Sequence, residues 1–501
     1  MNNPTLVSTQ YGQVQGMVEK GVAVWKGIPY AQAPVNELRF KAPQPLQSWS
    51  GIKKTTEFSA IAPQISPEAL AEQTSEDCLF LNIWSPAADN SKRPVLFWIH
   101  GGAFITGSGS TPAYNGASFA NTGNVVVVTI NYRLGPFGFL YTKDLTDSDL
   151  FDTNNGLRDQ MAALQWVKEN IAAFGGDPDN ITIFGESAGG ASVVNQLGSP
   201  LSKGLFHKAI AQSPCSFCIY TDTKTATQGT IRFLEILALS LSEITQLIDI
   251  PVDILLKASE QLIEEMTELV PGNIAFQPIV GDDVLPLRPE QAVVKGSGSQ
   301  VPLIVGSNED EGTMFALLPV PKIMPINDTL IKTYLEQNYP NTSSEIKEAY
   351  KEVPAELRPI KMGGDATIWL PAVTIATAMP NSSPVYMYRF RWTSDYLKGS
   401  GLCSFHSLEI PFVFGNLQSS DVVETLKGAD EKETQALSQK MQQAWINFAH
   451  TGNPSNNEIN DWTAYNTRTR TSMVFDKEIR LENDIEATVR KAWENNEMKN
   501  L

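Results

Sequence analysis

Ile181-Thr182-Ile183-Phe184 runs directly into Gly185-Glu186-Ser187-Ala188-Gly189-Gly190, and the reading of this stretch decides the fold. A short apolar, β-branched run bounded by glycine reads as a buried strand. The G-x-S-x-G that follows puts small residues two before and two after a serine. A helix can then start hard against the strand it leaves, with the serine hydroxyl exposed at the turn. Upstream, Leu157, Met161, Leu164 and Val167, followed by Ile171, fall at helical spacing, while Arg158, Asp159, Lys168 and Glu169 take other positions; this predicts a helix over 155–170. Gly175-Gly176 and Asp177-Pro178 stop that helix and turn the chain into the strand.

Further out, Val95-Leu96-Phe97-Trp98-Ile99 ends at His100-Gly101-Gly102, and Val125 to Ile130 is a second continuous apolar run. Both have the character of central strands covered on two faces. Val301 to Val305 and Val385 to Phe390 add two more strand candidates. Strands alternating with helices predict an α/β fold, a mostly parallel central sheet flanked by helices. One domain over residues 1–501 is expected, with the segments at about 221–299 and 316–380 as mainly helical insertions.

Bulk properties narrow the function. A chain of 501 residues with 42% hydrophobic and 19% charged residues has the make-up of an enzyme-sized globular protein. Its formal net charge of -17 opposes binding to phosphate backbones, so no nucleic-acid partner is expected. The start, MNNPTLVSTQYGQVQG, has neither a basic n-region nor an apolar h-region, and no run is long enough to span a bilayer. Cys78, Cys215, Cys218 and Cys403 are too few and too scattered for a disulfide framework, which favours a cytoplasmic location. Cys215-x-x-Cys218 lacks a second ligand pair and a redox context, and is expected to be a buried, inert pair.

A serine hydroxyl needs a base to take its proton during attack, and an imidazole is the usual choice. Only four histidines are present. Where a serine on such a turn is the nucleophile, the chain order is serine, acid, histidine. His100 precedes Ser187, and His207 follows too closely for an acid-bearing strand between them. His450 sits at a helix end before Gly452, where a cap explains it. His406 remains as the base. For the acid, Glu309-Asp310-Glu311 follows the Val301 strand, where a loop at the carboxyl end would project into a site; spacing leaves open which of the three serves. His100-Gly101-Gly102-Ala103-Phe104 offers backbone N–H groups for an oxyanion, and Ala188 adds the amide after the serine.

Longer motifs carry a resemblance. Val24-Trp25-Lys26-Gly27-Ile28-Pro29-Tyr30, Ser75-Glu76-Asp77-Cys78-Leu79-Phe80-Leu81-Asn82, Asn131-Tyr132-Arg133-Leu134-Gly135, Phe184 to Gly190 and Leu408 to Gly415 together resemble the type B carboxylesterase family. This is the cholinesterase-like branch of the α/β-hydrolase fold, with its bacterial para-nitrobenzyl esterase group. The resemblance implies a carboxylic-ester hydrolase with Ser187, Glu311 and His406 as catalytic residues. It also implies an oxyanion hole at Gly102, Ala103 and Ala188, Ala103 standing where many relatives have glycine. No cofactor or metal is implied, and the expected partner is a small-molecule ester, with the chain a monomer or weak oligomer. Ion pairs Arg39 with Glu76 and Arg133 with Asp159 are implied as structural, and Phe315 as an acyl-side residue. Secreted relatives pair the cysteine of E-D-C-L with one a little upstream; none stands at 60–64 here, so Cys78 is expected as a free thiol. The same triad would also serve a carbamate or amide hydrolase or an acyltransferase. Adhesion proteins in the family lack the serine that this chain keeps.

Overall fold

The computed structural model describes residues 4–66, 73–298, 300–320 and 323–497, without the side chains of 217, 218 and 495–497. Its centre is an 11-stranded sheet. In chain order the strands are β1 (Met17–Glu19), β2 (Val22–Pro29), β3 (Phe80–Ser85), β4 (Arg93–Ile99), β5 (Val126–Ile130), β6 (Gly176–Glu186), β7 (Lys208–Gln212), β8 (Leu303–Asn308), β9 (Val385–Phe390), β10 (Thr471–Phe475) and β11 (Arg480–Asn483). Their spatial order is β11-β10-β9-β8-β7-β6-β4-β5-β3-β2-β1. The pairs from β5 across to β10 are parallel, and those at both edges are antiparallel. A separate three-stranded sheet joins residues 6–8, 13–15 and 52–54.

Alternation along the central strands builds two cores. From β4, Val95, Phe97 and Ile99 point into one and Leu96 and Trp98 into the other. Because crossover helices must cover both faces of a parallel sheet, neither face can be polar. The first core takes Leu157 and Leu164 from α1 (Asn155–Asn170), and Ala191 and Val194 from α2 (Ala188–Gly198). The second takes Met441, Trp445 and Phe448 from α5 (Glu431–Thr451).

Two strands depart from the sequence reading. The run around Ile181 extends back to Gly176, paired there with Arg93 before the register shifts at Val95. Gly175, at φ 86, makes the turn, so Asp177-Pro178 lies within the strand's course rather than before it. The strand expected at 301–305 instead spans Leu303 to Asn308. Pro302 has no N–H for the ladder, whereas Gly306-Ser307-Asn308 continues the pairing with β9. The shift brings the strand end to the residue before Glu309. Among the described residues of 221–298 there are helices but no strand, including α3 (Val252–Leu269). Residues 323–380 likewise hold helices, including α4 (Asp328–Asn338).

Candidate active site

Ser187 occupies the turn between β6 and α2 with φ 58 and ψ −121, a conformation that is costly for any residue with a Cβ. The glycines around it explain how the turn fits. A Cβ on Gly185 would lie 2.6 Å from the backbone of Gly189, and one on Gly189 only 2.0 Å from Ile99 O. The start of α2 is therefore pressed onto both β6 and β4. The Ser187 amide donates to Gln212 O (3.0 Å), which ties the turn to the end of β7.

The glycine loop after β4 runs beside this turn, since a Cβ on Gly101 would meet Glu186 O at 2.7 Å and Ser187 Cβ at 3.0 Å. Gly102 (φ 102), Ala103 (φ 55) and Phe104 (φ 59) are successive residues with positive φ. Within the described residues, the amides of Gly102, Ala103 and Ala188 donate to no protein acceptor. His100 serves this loop rather than any reaction. Its Nδ1–H donates to Gly101 O (2.8 Å), its ring stacks on Tyr132, and burial lowers its pKa to about 4, so it is neutral.

His406 and Glu311 come together from loops after β8 and β9. An isolated parallel bridge between Asp310 and Phe405 clamps the two loops. His406 Nδ1–H donates to Glu311 Oε2 at 2.6 Å, and Glu311 Oε1 accepts from Ser213 Oγ (2.7 Å) and the Asn308 amide (2.6 Å). The neighbouring carboxylates are engaged elsewhere: Glu309 binds Arg389 and Arg391, and Asp310 accepts from the Ser404 amide. His207 Nδ1 accepts from the Ile181 amide, and His450 Nε2–H donates to Gly123 O. Neither ring joins His406.

The other side of the His406 ring holds groups that had no part in the site as read from the sequence. Glu186 Oε1 lies 3.1 Å from Nε2 and accepts from Ser407 Oγ at 2.6 Å. Nε2 makes no hydrogen bond of good geometry. Ser187 Oγ lies 3.2 Å from Cys215 Sγ, and the same thiol interacts with the His406 ring. Behind them the buried Glu409 accepts from Gln212 Nε2 (3.0 Å) and Asn308 Nδ2 (2.8 Å). Burial is the strongest influence on His406 and pushes its pKa down. The carboxylates of Glu186 and Glu311 outweigh it and hold that pKa well above the ordinary histidine value. Burial pushes Glu186 up to about 8. The only sequence hint of Glu186 was its place inside G-E-S-A-G. Cys215 is buried, as expected, and lies against the serine; the Cys218 side chain lies outside the described residues.

The remaining expected features fall as follows. Phe315 packs near the His406 ring, with centroids 5.4 Å apart. Arg39 grips Glu76 through two bonds of 2.7 and 2.8 Å, and Arg133 grips Asp159 at 2.8 and 2.7 Å. Cys78 is a buried thiol outside any disulfide. A cavity of about 1120 Å³ is lined by Ile105 and Thr106 beyond the glycine loop and by Leu256, Ile263, Glu264 and Leu330 from α3 and α4. Among the described residues no helix is long and apolar enough to cross a membrane.

Comparison with known proteins agrees with this arrangement. The model of the carboxylesterase family matches residues 3–495. The para-nitrobenzyl esterase of Bacillus subtilis (strain 168) is 41% identical over 97% of both chains. The phenmedipham hydrolase of Pseudarthrobacter oxydans is 31% identical over 92% of both. A solved thermophilic para-nitrobenzyl esterase superposes with a TM-score of 0.88 at 39% identity, over 98% of this chain and 99% of its own. The strand order, the serine turn and these likenesses lead to one conclusion: the chain belongs to the carboxylesterase family, with the α/β-hydrolase fold, and is a carboxylic-ester hydrolase.

Proposed function

We propose that this chain hydrolyses small to medium esters through an acyl-enzyme on Ser187. His406 acts as general acid and base, Glu311 orients it, and the amides of Gly102, Ala103 and Ala188 hold the oxyanion. The observation that carries this reading is the 2.6 Å bond from His406 Nδ1–H to Glu311 Oε2 beside a serine held at φ 58. With Nδ1 as donor, Nε2 of the neutral ring is the acceptor, the tautomer that a base for Ser187 needs. The Ser187 proton passes to Nε2 as Oγ bonds to the ester carbon. Nε2–H then protonates the departing alcohol. Water repeats the sequence on the acyl-enzyme, releasing the acid and restoring Ser187. Gly102 and Ala103 sit on backbone whose positive φ aims amides away from any regular ladder, and Ala188 opens α2 directly after Ser187; each such donor is worth roughly 3 to 4 kcal/mol at the transition state.

The whole chain works in this reading as one catalytic domain, with the mainly helical insertions expected at about 221–299 and 316–380 set around the entrance. The cavity between the glycine loop and α3 supports a substrate passage there. The buried, unbridged Cys78 supports a cytoplasmic location.

Comparing Glu311→Gln, Glu309→Gln and Asp310→Asn tests the reading. It predicts a fall in kcat/KM for nitrophenyl esters on the order of 10⁴ for Glu311→Gln, by analogy with the tautomer loss in other triads, and far smaller falls for the other two. Equal falls in all three would remove Glu311 from its role.

A further inference from the structure

Cys215 stands where this mechanism has no use for a thiol. It follows the end of β7 in Gln212-Ser213-Pro214-Cys215 and is fully buried. Its Sγ is 3.2 Å from Ser187 Oγ and 3.5 Å from Ser213 O. The thiol has one proton, and the Ser213 carbonyl can only accept. With S–H directed to that carbonyl, the face of the sulfur toward Ser187 offers lone pairs, and the serine hydroxyl is the donor. A hydroxyl whose single proton points at sulfur has none pointing at His406 Nε2. That nitrogen makes no hydrogen bond to Ser187, and its buried ring interacts with the same thiol. Nucleophile and base thus both meet the Cys215 sulfur rather than each other.

We propose that Cys215 is a positioning residue that parks the Ser187 hydroxyl on its sulfur in the resting enzyme, so that each acylation begins by turning the hydroxyl from Sγ to His406 Nε2. The proposal rests on Ser187 and His406 being nucleophile and base. Sulfur is a weak acceptor, so the restraint is small and releasable. Rotation of Ser187 about its Cα–Cβ bond transfers the donor without moving the strained backbone. The restraint is removed by taking away the acceptor and kept by supplying another in its place.

The test uses the full chain and diethyl p-nitrophenyl phosphate. In that reaction the Ser187 Oγ–P bond forms, the P–O bond to nitrophenolate breaks, and the serine proton goes to His406. Cys215→Ala and Cys215→Ser leave similar space, but only the second keeps a hydrogen-bond acceptor. Cys215→Ala is expected to raise the bimolecular phosphorylation rate about two- to tenfold, and to raise the acylation rate for p-nitrophenyl acetate without changing its dissociation constant. Cys215→Ser is expected to react no faster than the parent. Equal rates for Ala and Ser, or a slower Ala variant, would leave the thiol a packing role only and overturn the proposal. If the small side chains compromise folding, Cys215→Val and Cys215→Thr, which match in shape, make the same comparison. Peptide mapping of the adduct separates the two claims: phosphorylation of the parent away from Ser187 defeats the triad reading itself, whereas an adduct on Ser187 with unchanged rates defeats only the parking.

Discussion

At the scale of single residues, the catalytic reading depends on where protons rest. His406 lies between Glu311 on Nδ1 and Glu186 facing Nε2. Glu311 and the ionised form of Glu186 both favour the cation of the ring between them, and the pKa of His406 is held above the ordinary value despite burial. A protonated imidazole cannot accept from Ser187, so kcat/KM should rise as pH increases through that raised pKa. Glu186→Gln removes the ionisable carboxyl on the Nε2 side, which lowers the pKa of His406 and moves the acid limb of the pH profile to lower pH. A limb that stayed in place, or moved to higher pH, would show that Glu186 does not act on the ring. Ser187 and His406 could be proposed from the sequence because a serine motif is local and four histidines can be sorted by chain order. Glu311 needed the family resemblance, because three adjacent carboxylates have the same spacing to everything. Glu186 and Cys215 were not legible, since what they do depends on contacts across 220 and 28 residues that no local pattern encodes.

At the scale of elements, the turn from β6 into α2 does most to place the site. Its glycines are required by distance rather than by flexibility: a Cβ on Gly189 would meet Ile99 O at 2.0 Å. Gly189→Ala should therefore push the start of α2 away from β4 and carry Ser187 with it. A displacement of about 1 Å at a reacting atom can reduce rate on the order of 10²-fold. We expect a loss of at least that size in kcat, with far-ultraviolet circular dichroism showing retained secondary structure. Full activity in this variant would mean the close approach is not needed. The sequence located β4, β6 and the helices before and after β6, missed β7, and misjudged two strand ends. At Val301 the apolar run ended at Val305, while the ladder continues through Gly306-Ser307-Asn308. Those residues pair through their backbones, and hydrophobicity does not report backbone pairing.

At the scale of the whole molecule, the site stands at the carboxyl ends of parallel strands, and distant ties hold the loops there. Arg133 and Asp159 are both buried, and the guanidinium also donates to Lys41 O at 2.6 Å. Arg39, besides binding Glu76, donates to Ile250 O at 2.7 Å and so fastens the segment before α3 to the amino-terminal region. Removing one partner of a buried pair leaves an uncompensated charge, typically at a cost of about 3 to 5 kcal/mol. Asp159→Ala should lower unfolding stability by about that amount in denaturant titration; a change under about 1 kcal/mol would show that the pair contributes little. The alternation of strands and helices made this architecture readable, but the segments that bring residues 187, 311 and 406 to one place had to be seen folded. The most direct test of that convergence is peptide mapping of enzyme quenched in acid during the burst with a nitrophenyl ester. The account predicts an acyl group on the peptide carrying Ser187 and none in Ser187→Ala; an acyl group on another residue of the active parent would contradict it.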